Sequence, residues 1–488
     1  MTEFDVVVKN ALVVRAGQPA PERLDIAVKD GVFAAFEENI APERAAETVD
    51  GSGRYVFPGV VDAHQHWGIY NELGEDAGSE SRASAQGGVT TSLSYIRTGA
   101  YYLNRTGPYR EVFPEVLEKT DGRAYIDYAF HLAPILAEHI DEIPELIEEH
   151  GVASFKIFMF YGSHGLHGRS SSQRDFLMIP EDQTYNIAHF EFIMRGLQKA
   201  REQFPQDKDR LSLSLHCETP EIMSAYTKLV EQEGKLSGLE AYSASRPPHS
   251  EGLAITIASY LAHETELPNI NLLHLTSRKA IEAAMMMQQT FPHINFRREV
   301  TIGHLLATYE TANLGGKVNP PLRSADDVEA LWEHVLAGNV SWVCSDHACC
   351  REEAKFGEPR DDVFVAKSGF GGAEYLLPGL ISEGRKRGLS YNRIAELTAQ
   401  VPAERFGLTG KGDLQVGLDA DFVLVDDDVD YTVRADDSLS TQEYTPFEGF
   451  GLTAKVTDTF LRGQAVLRDE RIVGEPQGQY VRRTAASS

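Results

Sequence analysis

Over the first 55 residues, apolar and polar positions alternate in short runs, as in FDVVV, ALVV, LDIAV and GVFAAF. Turn residues such as Asp30-Gly31 separate them. A period of two places apolar side chains on one face of a strand, so this stretch predicts small antiparallel strands. The pattern returns near the C-terminus, in ADFVLVD at 420–426, LTAKVTDTFLRG at 452–463 and QAVLRD at 464–469. Between these ends the pattern changes. Strand candidates are YVFPGVVDAH, VTTSLSY, AYIDYAFHL, ASFKIFMFY, LSLSLHCE, INLLHLTS, INFRREV and VSWVCSDHA. Stretches with helical spacing, such as IPELIEEH and FEFIMRGLQKAREQF, lie between them. Strands alternating with helices predict an α/β fold, a (β/α)8 TIM barrel over 56–405. Two β-rich ends, residues 1–55 and 406–472, flank that middle. An open doubly wound sheet is the plainer alternative. The polar tail, 473–488, reads as mobile or as packed on a neighbouring subunit.

Composition narrows this picture. The chain has 488 residues, 42% hydrophobic and 24% charged, enough for a large core. Its formal net charge of -27 argues against nucleic acid and against an anionic membrane surface as partners. The cysteines Cys217, Cys344, Cys349 and Cys350 have no framework spacing, which fits a reducing cytoplasm. No secretory signal and no membrane-spanning run is expected.

Several strand candidates end in residues that can bind a metal. His64 and His66 close the first, Lys156 lies in the fourth, His216 and His274 close the fifth and sixth, and Asp346 follows the eighth. In a barrel, C-terminal strand ends converge on one mouth. Residues two apart on a strand share a face, so both imidazoles of His64-x-His66 can reach one ion. Asp62, two residues earlier, could hold a histidine ring N–H. Each residue also has a plainer reading: a polar turn, a hydrogen-bonded barrel histidine, or a lysine that snorkels to the mouth. Lys156 is the most informative, because it sits within ASFKIFMFY. Burial favours the neutral amine, which can add CO2 to form a carbamate able to bridge two metals. Mixed N/O ligands suit zinc first, and manganese or cobalt next.

Longer motifs surround these residues. FPGVVDAHQHW, AQGGVTTSL, ASFKIFMFY, SDHACC and PAERFGLTGKGDLQVGLDADFVLVD together resemble the hydantoinase, dihydropyrimidinase, allantoinase and dihydroorotase branch of the amidohydrolase superfamily, over nearly the whole chain. The resemblance implies a small β-sandwich built from residues 1–55 and 406–472, and two divalent metal ions bridged by N6-carboxylysine at Lys156. His64, His66, Lys156 and Asp346 would hold one, and Lys156, His216 and His274 the other. A bridging hydroxide would attack the ring amide, with Asp346 as proton shuttle and Tyr161 on the developing oxyanion. Thr301, Asn319 and Ser368 fall at positions that touch the substrate ring. A homotetramer is also implied.

RPPHSEG at 246–252 and KVNPPLR at 317–323 look more like hydantoinase and dihydropyrimidinase than dihydroorotase. Gly68 stands where dihydroorotases carry an arginine, and Ser368 where hydantoinases carry an asparagine. A serine there changes ring recognition. His164, His167 and Arg169, in YGSHGLHGRS, could meet a polar substituent or belong to a solvated lid. The expected activity is hydrolysis of a hydantoin-like or dihydropyrimidine-like cyclic amide. Alternatives are an allantoinase-like ureide hydrolase, a cyclic imide or lactam hydrolase, or a non-catalytic assembly protein.

Overall fold

The structure is a computed structural model and describes residues 2–161 and 172–485. The eight central strands are β1 (Val60–Gln65), β2 (Val89–Ile96), β3 (Asp127–Leu132), β4 (Ser154–Phe158), β5 (Ser212–His216), β6 (Asn269–Leu272), β7 (Asn295–Thr301) and β8 (Trp342–Cys344). They lie side by side in chain order. All consecutive pairs are parallel. A parallel bridge between Gln65 and His347, with His66 N donating to His347 O (2.8 Å), joins the first strand to the last. This is the expected barrel.

Helices pack outside it by apolar faces. In Ile187–Gln203, Phe190, Ile193, Met194, Leu197 and Ala200 are buried at helical spacing, and the Asn186 side chain caps the first turn by accepting from His189 N. At the N-terminal end of the barrel, the helix Val401–Phe406 acts as a plug. Phe406 packs with Val61, Ala63, Leu93, Ala129 and Trp342. Closing that end with apolar side chains leaves the opposite mouth for polar chemistry.

The chain ends build a nine-stranded sheet. The two ends meet where Tyr55–Pro58 pairs antiparallel with Phe422–Asp426. The expected first barrel strand is thus two strands. Tyr55–Pro58 belongs to the end sheet, and β1 begins after Gly59. A Cβ on Gly59 would stand 2.1 Å from Thr90 Oγ1, so only glycine lets the chain cross there.

The tail does not follow the expectation. β3 and β4 pair only at Leu132↔Phe155, and the segment 479–483 fills the opening between them. Tyr128 N donates to Gln479 O (3.0 Å) and Val481 N to Tyr128 O (2.8 Å). Arg483 is buried and donates to Ser154 Oγ and Phe130 O, both at 2.6 Å. Polar residues there satisfy backbone groups that a neighbouring strand leaves open.

Candidate metal centre

The six sequence-selected donors meet at the C-terminal mouth of the barrel. His64 is the penultimate residue of β1 and His66 follows its end; Lys156 lies within β4, and His216 ends β5. His274 and Asp346 follow β6 and β8, with φ of 32° and 56°. Left-handed backbone is costly for such residues and is often tolerated where it aims a functional side chain. His64 Nε2 lies 3.1 Å from His66 Nε2 and 3.0 Å from Asp346 Oδ1, and His66 Nε2 lies 3.2 Å from the same oxygen. Ligand atoms about 2.1 Å from one ion stand roughly 3 Å apart at a right angle, so this trio has the spacing of a shared ligand set. Lys156 Nζ contacts His64 Nε2 and lies 3.2 Å from His66 Nε2. The His216 and His274 rings lie 4.3 Å apart. Both Nδ1 atoms are buried without a hydrogen-bond partner among the described residues. Buried polar atoms seldom stay unpaired, and a ligated ion would satisfy them. The donor set therefore fits metal ions, and His64, His274 and Asp346 also form a group able to hold one.

Charges around the cluster agree. Burial lowers Lys156 to about 8, toward the neutral amine. Burial, then Lys156, lowers His66 to about 3, and burial lowers His216 to about 4. Burial also opposes protonation of His64, but Asp346 and Glu299 outweigh it and raise His64 to about 9. Negative charge thus faces the ring that a cation would sit beside. Burial would raise Asp346, yet His64 and His66 hold its carboxyl well below the usual range.

Carboxylates that sequence reasoning missed orient these rings. Glu299 Oε1 lies 2.8 Å from His64 Nδ1, and Glu299 also accepts from His274 N (3.0 Å) and Trp342 Nε1 (2.8 Å). Glu218 Oε2 lies 2.6 Å from His216 Nε2 and pairs with Arg246 through Nε (2.9 Å) and Nη2 (2.6 Å). The signal for Glu218 was present: His216-Cys217-Glu218 repeats the two-residue spacing used for His64 and His66. Asp62, expected against a histidine, instead accepts from Ser345 N (3.0 Å), Ser345 Oγ (2.5 Å) and Gln65 Nε2 (2.7 Å). It ties β1 to the end of β8, and those donors fill its acceptor sites.

The cavity above the donors is lined by His66, His216, His274 and Asp346, by Ile69 and Phe158 on one side, and by Asn319 and Ser368 on another. Of the expected ring contacts, Asn319 and Ser368 therefore reach it. Tyr242 Oη donates to Asn319 Oδ1 (2.5 Å) and lies 3.3 Å from Ser368 Oγ. The Thr301 side chain does not line the cavity; its Oγ1 lies 2.7 Å from His304 Nδ1. Tyr161 is also outside the lining, one ring deeper, stacked on Phe158 at 4.8 Å. Gly68 has φ 81°, and its N donates to Asp76 Oδ2 (2.7 Å), a backbone that an arginine would strain. His164, His167 and Arg169 lie outside the described residues.

A parallel eight-stranded barrel with imidazoles, a buried lysine and a carboxylate gathered at its mouth is built like a metal-assisted barrel hydrolase. The amidohydrolase family matches residues 215–466. An allantoinase of Rubrobacter xylanophilus is 32% identical over 490 residues, covering 99% of this chain and 98% of the relative. A D-hydantoinase of Geobacillus stearothermophilus is 29% identical, over 98% of this chain and 96% of its own. Among solved structures, L-hydantoinase (dihydropyrimidinase) from Arthrobacter aurescens superposes with a TM-score of 0.83 at 28% identity, covering 98% of this chain and 99% of that one. The chain belongs to the amidohydrolase family, in its hydantoinase and dihydropyrimidinase branch.

Proposed function

We propose that this protein hydrolyses an endocyclic amide of a hydantoin-like or dihydropyrimidine-like ring with the aid of two divalent ions. The carrying observation is the convergence of the six donors, with the Nδ1 atoms of His216 and His274 unpaired among the described residues. His64, His66, Lys156 and Asp346 would hold one ion, and Lys156, His216 and His274 the other, with Lys156 as the bridging carbamate and zinc as the preferred metal. Such ions make a water nucleophilic near neutral pH and polarise an amide carbonyl.

The chain's own groups do the rest. Asp346 takes the proton of the attacking water and returns it to the leaving ring nitrogen. Glu299 and Glu218 hold His64 and His216 in one tautomer. Asn319 and Ser368 grip the polar edge of the ring, and Val318 and Gly369 complete that wall. Tyr161 donates to the developing oxyanion once the Phe158 side opens. Burial raises its phenol above the usual value although Arg97 opposes this, so it stays protonated as a donor.

A second reading has support. The Rubrobacter relative is an allantoinase, and the short Ser368 side chain suits a ring bearing a ureido group. Retention of all six donors speaks against a non-catalytic assembly role. Among the described residues no helix is long and apolar enough to cross a membrane.

The test is a turnover screen of hydantoins, dihydropyrimidines, allantoin, cyclic imides and lactams with zinc- and manganese-loaded protein. Lys156→Ala should lose metal and activity together, with partial rescue by short carboxylic acids. Full metal content with normal turnover in that variant would refute the bridge.

A further inference from the structure

The loop after β2 contains a buried cation with no carboxylate partner among the described residues. Arg97 is 1% exposed. Its Nη1 donates to Thr98 O (2.9 Å) and its charge meets the Tyr161 hydroxyl, while Nε and Nη2 have no closely aligned acceptor among the described residues. Its surroundings are aromatic faces: Cζ lies 4.5 Å from the Phe176 ring centre, 5.4 Å from Tyr161 and 5.6 Å from Tyr102. Aromatic faces attract a guanidinium, most strongly out of water. The charge is therefore held by rings, and it holds the rings in turn.

The backbone that follows is strained. Tyr101, Tyr102 and Asn104 have φ of 69°, 57° and 49°. Left-handed backbone is unfavourable for aromatic residues and persists only where surroundings enforce it. Ala100 N donates to Phe176 O (2.9 Å) and Tyr101 N to Asn104 Oδ1 (2.7 Å), which pin the loop. The strain delivers one hydroxyl to one place: Tyr102 Oη lies 2.7 Å from His66 Nδ1, and both residues are buried. The other nitrogen of that ring, Nε2, belongs to the trio with His64 and Asp346. An imidazole that ligates through Nε2 carries its proton on Nδ1, and the acceptor of that proton fixes tautomer and ring rotation.

We propose that Tyr102, held in place by Arg97, is the positioning residue that keeps His66 as an Nε2 metal ligand. The loop after β2 is then part of the metal centre, as Glu299 and Glu218 are for His64 and His216. This rests on the metal-centre reading above.

The test is metal retention, measured by zinc competition against a chromophoric chelator at fixed pH. Tyr102→Phe keeps the ring against Arg97 and removes only the hydroxyl. Its zinc retention should fall roughly 10- to 100-fold, while the metal-free unfolding midpoint drops only by the small amount that one lost hydrogen bond causes. Tyr95→Phe is the control: its ring lies 5.4 Å from His66, and its hydroxyl faces Tyr161 and makes no hydrogen bond to His66. It should retain zinc as the parent does. Arg97→Met should weaken retention in the parent background but add nothing to Tyr102→Phe, since both act through one contact. Unchanged retention in Tyr102→Phe, or an equal loss in Tyr95→Phe, would overturn the proposal. Additive losses would overturn Arg97's part in it. A parent protein that holds no divalent ion would instead overturn the metal-centre reading, and it does so before any substitution is made.

Discussion

Glu218→Gln changes one atom in a fully buried group with two duties, and the structure sets the size of its effect. Glu218 accepts from Arg246 Nε and Nη2 and meets His216 Nε2. Burial would raise its carboxyl, but Arg246 and His216 hold it well below the usual range, so it works as a carboxylate. Glutamine keeps the shape, loses the charge and offers one carbonyl. If that carbonyl faces Arg246, the amide NH2 faces His216 Nε2. The imidazole must then carry its proton on Nδ1, the atom left free for an ion. Removing one member of a buried ion pair costs about 3–5 kcal/mol. Glutamine retains a hydrogen bond to Arg246, so the lower end applies, about 3 kcal/mol or roughly 150-fold in the unfolding equilibrium. Metal affinity should fall roughly 10- to 100-fold in addition. Urea unfolding of the metal-free proteins measures the first effect, and zinc competition measures the second. Glu218→Met with Arg246→Met should cost less than either change alone, because neither charge is stranded. A Glu218→Gln variant that loses less than about 1 kcal/mol, well under the expected cost of a broken buried pair, and retains zinc like the parent would refute the assignment of both duties.

Three further outcomes follow from the geometry. Dialysis against a chelator should abolish turnover and lower the unfolding midpoint, and added zinc or manganese should restore both, because an ion that binds only the folded state stabilises it; an enzyme fully active after chelation, with no metal by elemental analysis, would contradict the centre. Ser368→Ala should lower kcat/KM for the preferred ring about 10-fold, the worth of one hydrogen bond, with metal content unchanged; equal kcat/KM would remove Ser368 from ring recognition. Arg483→Met deletes two buried 2.6 Å hydrogen bonds at the far end of the barrel, so it should cost about 2–4 kcal/mol of stability and leave kcat within about threefold, since charged-group hydrogen bonds there do not touch the mouth. A marked loss of kcat at unchanged stability would be inconsistent with that structural role.

The apolar runs determined the barrel strands, because a strand buried on both faces must be apolar along its length. They also determined which histidines, lysine and aspartate stand at strand ends, and a parallel barrel leaves those ends only one mouth to share. The candidate donor set was therefore legible, and so was the burial of Lys156, which its apolar neighbours in sequence require. What His64 and His66 lean on was not legible. Asp62 has the right spacing on β1 but turns to Ser345, while the partner of His64 comes from β7, 235 residues away in sequence. Cross-strand register decides that contact, and a single strand carries no information about it. The same holds for Tyr102, whose hydroxyl reaches His66 only because a strained loop turns it there. The tail reads as polar and unattached, yet it closes a gap that exists only because β3 and β4 part. The sequence by itself determined the fold class and which residues stand at the strand ends as candidate metal donors, since burial and periodicity are local properties. Only the tertiary structure decided which groups orient those donors and which reach the cavity, since each of those contacts joins segments whose distance is set by the closed barrel.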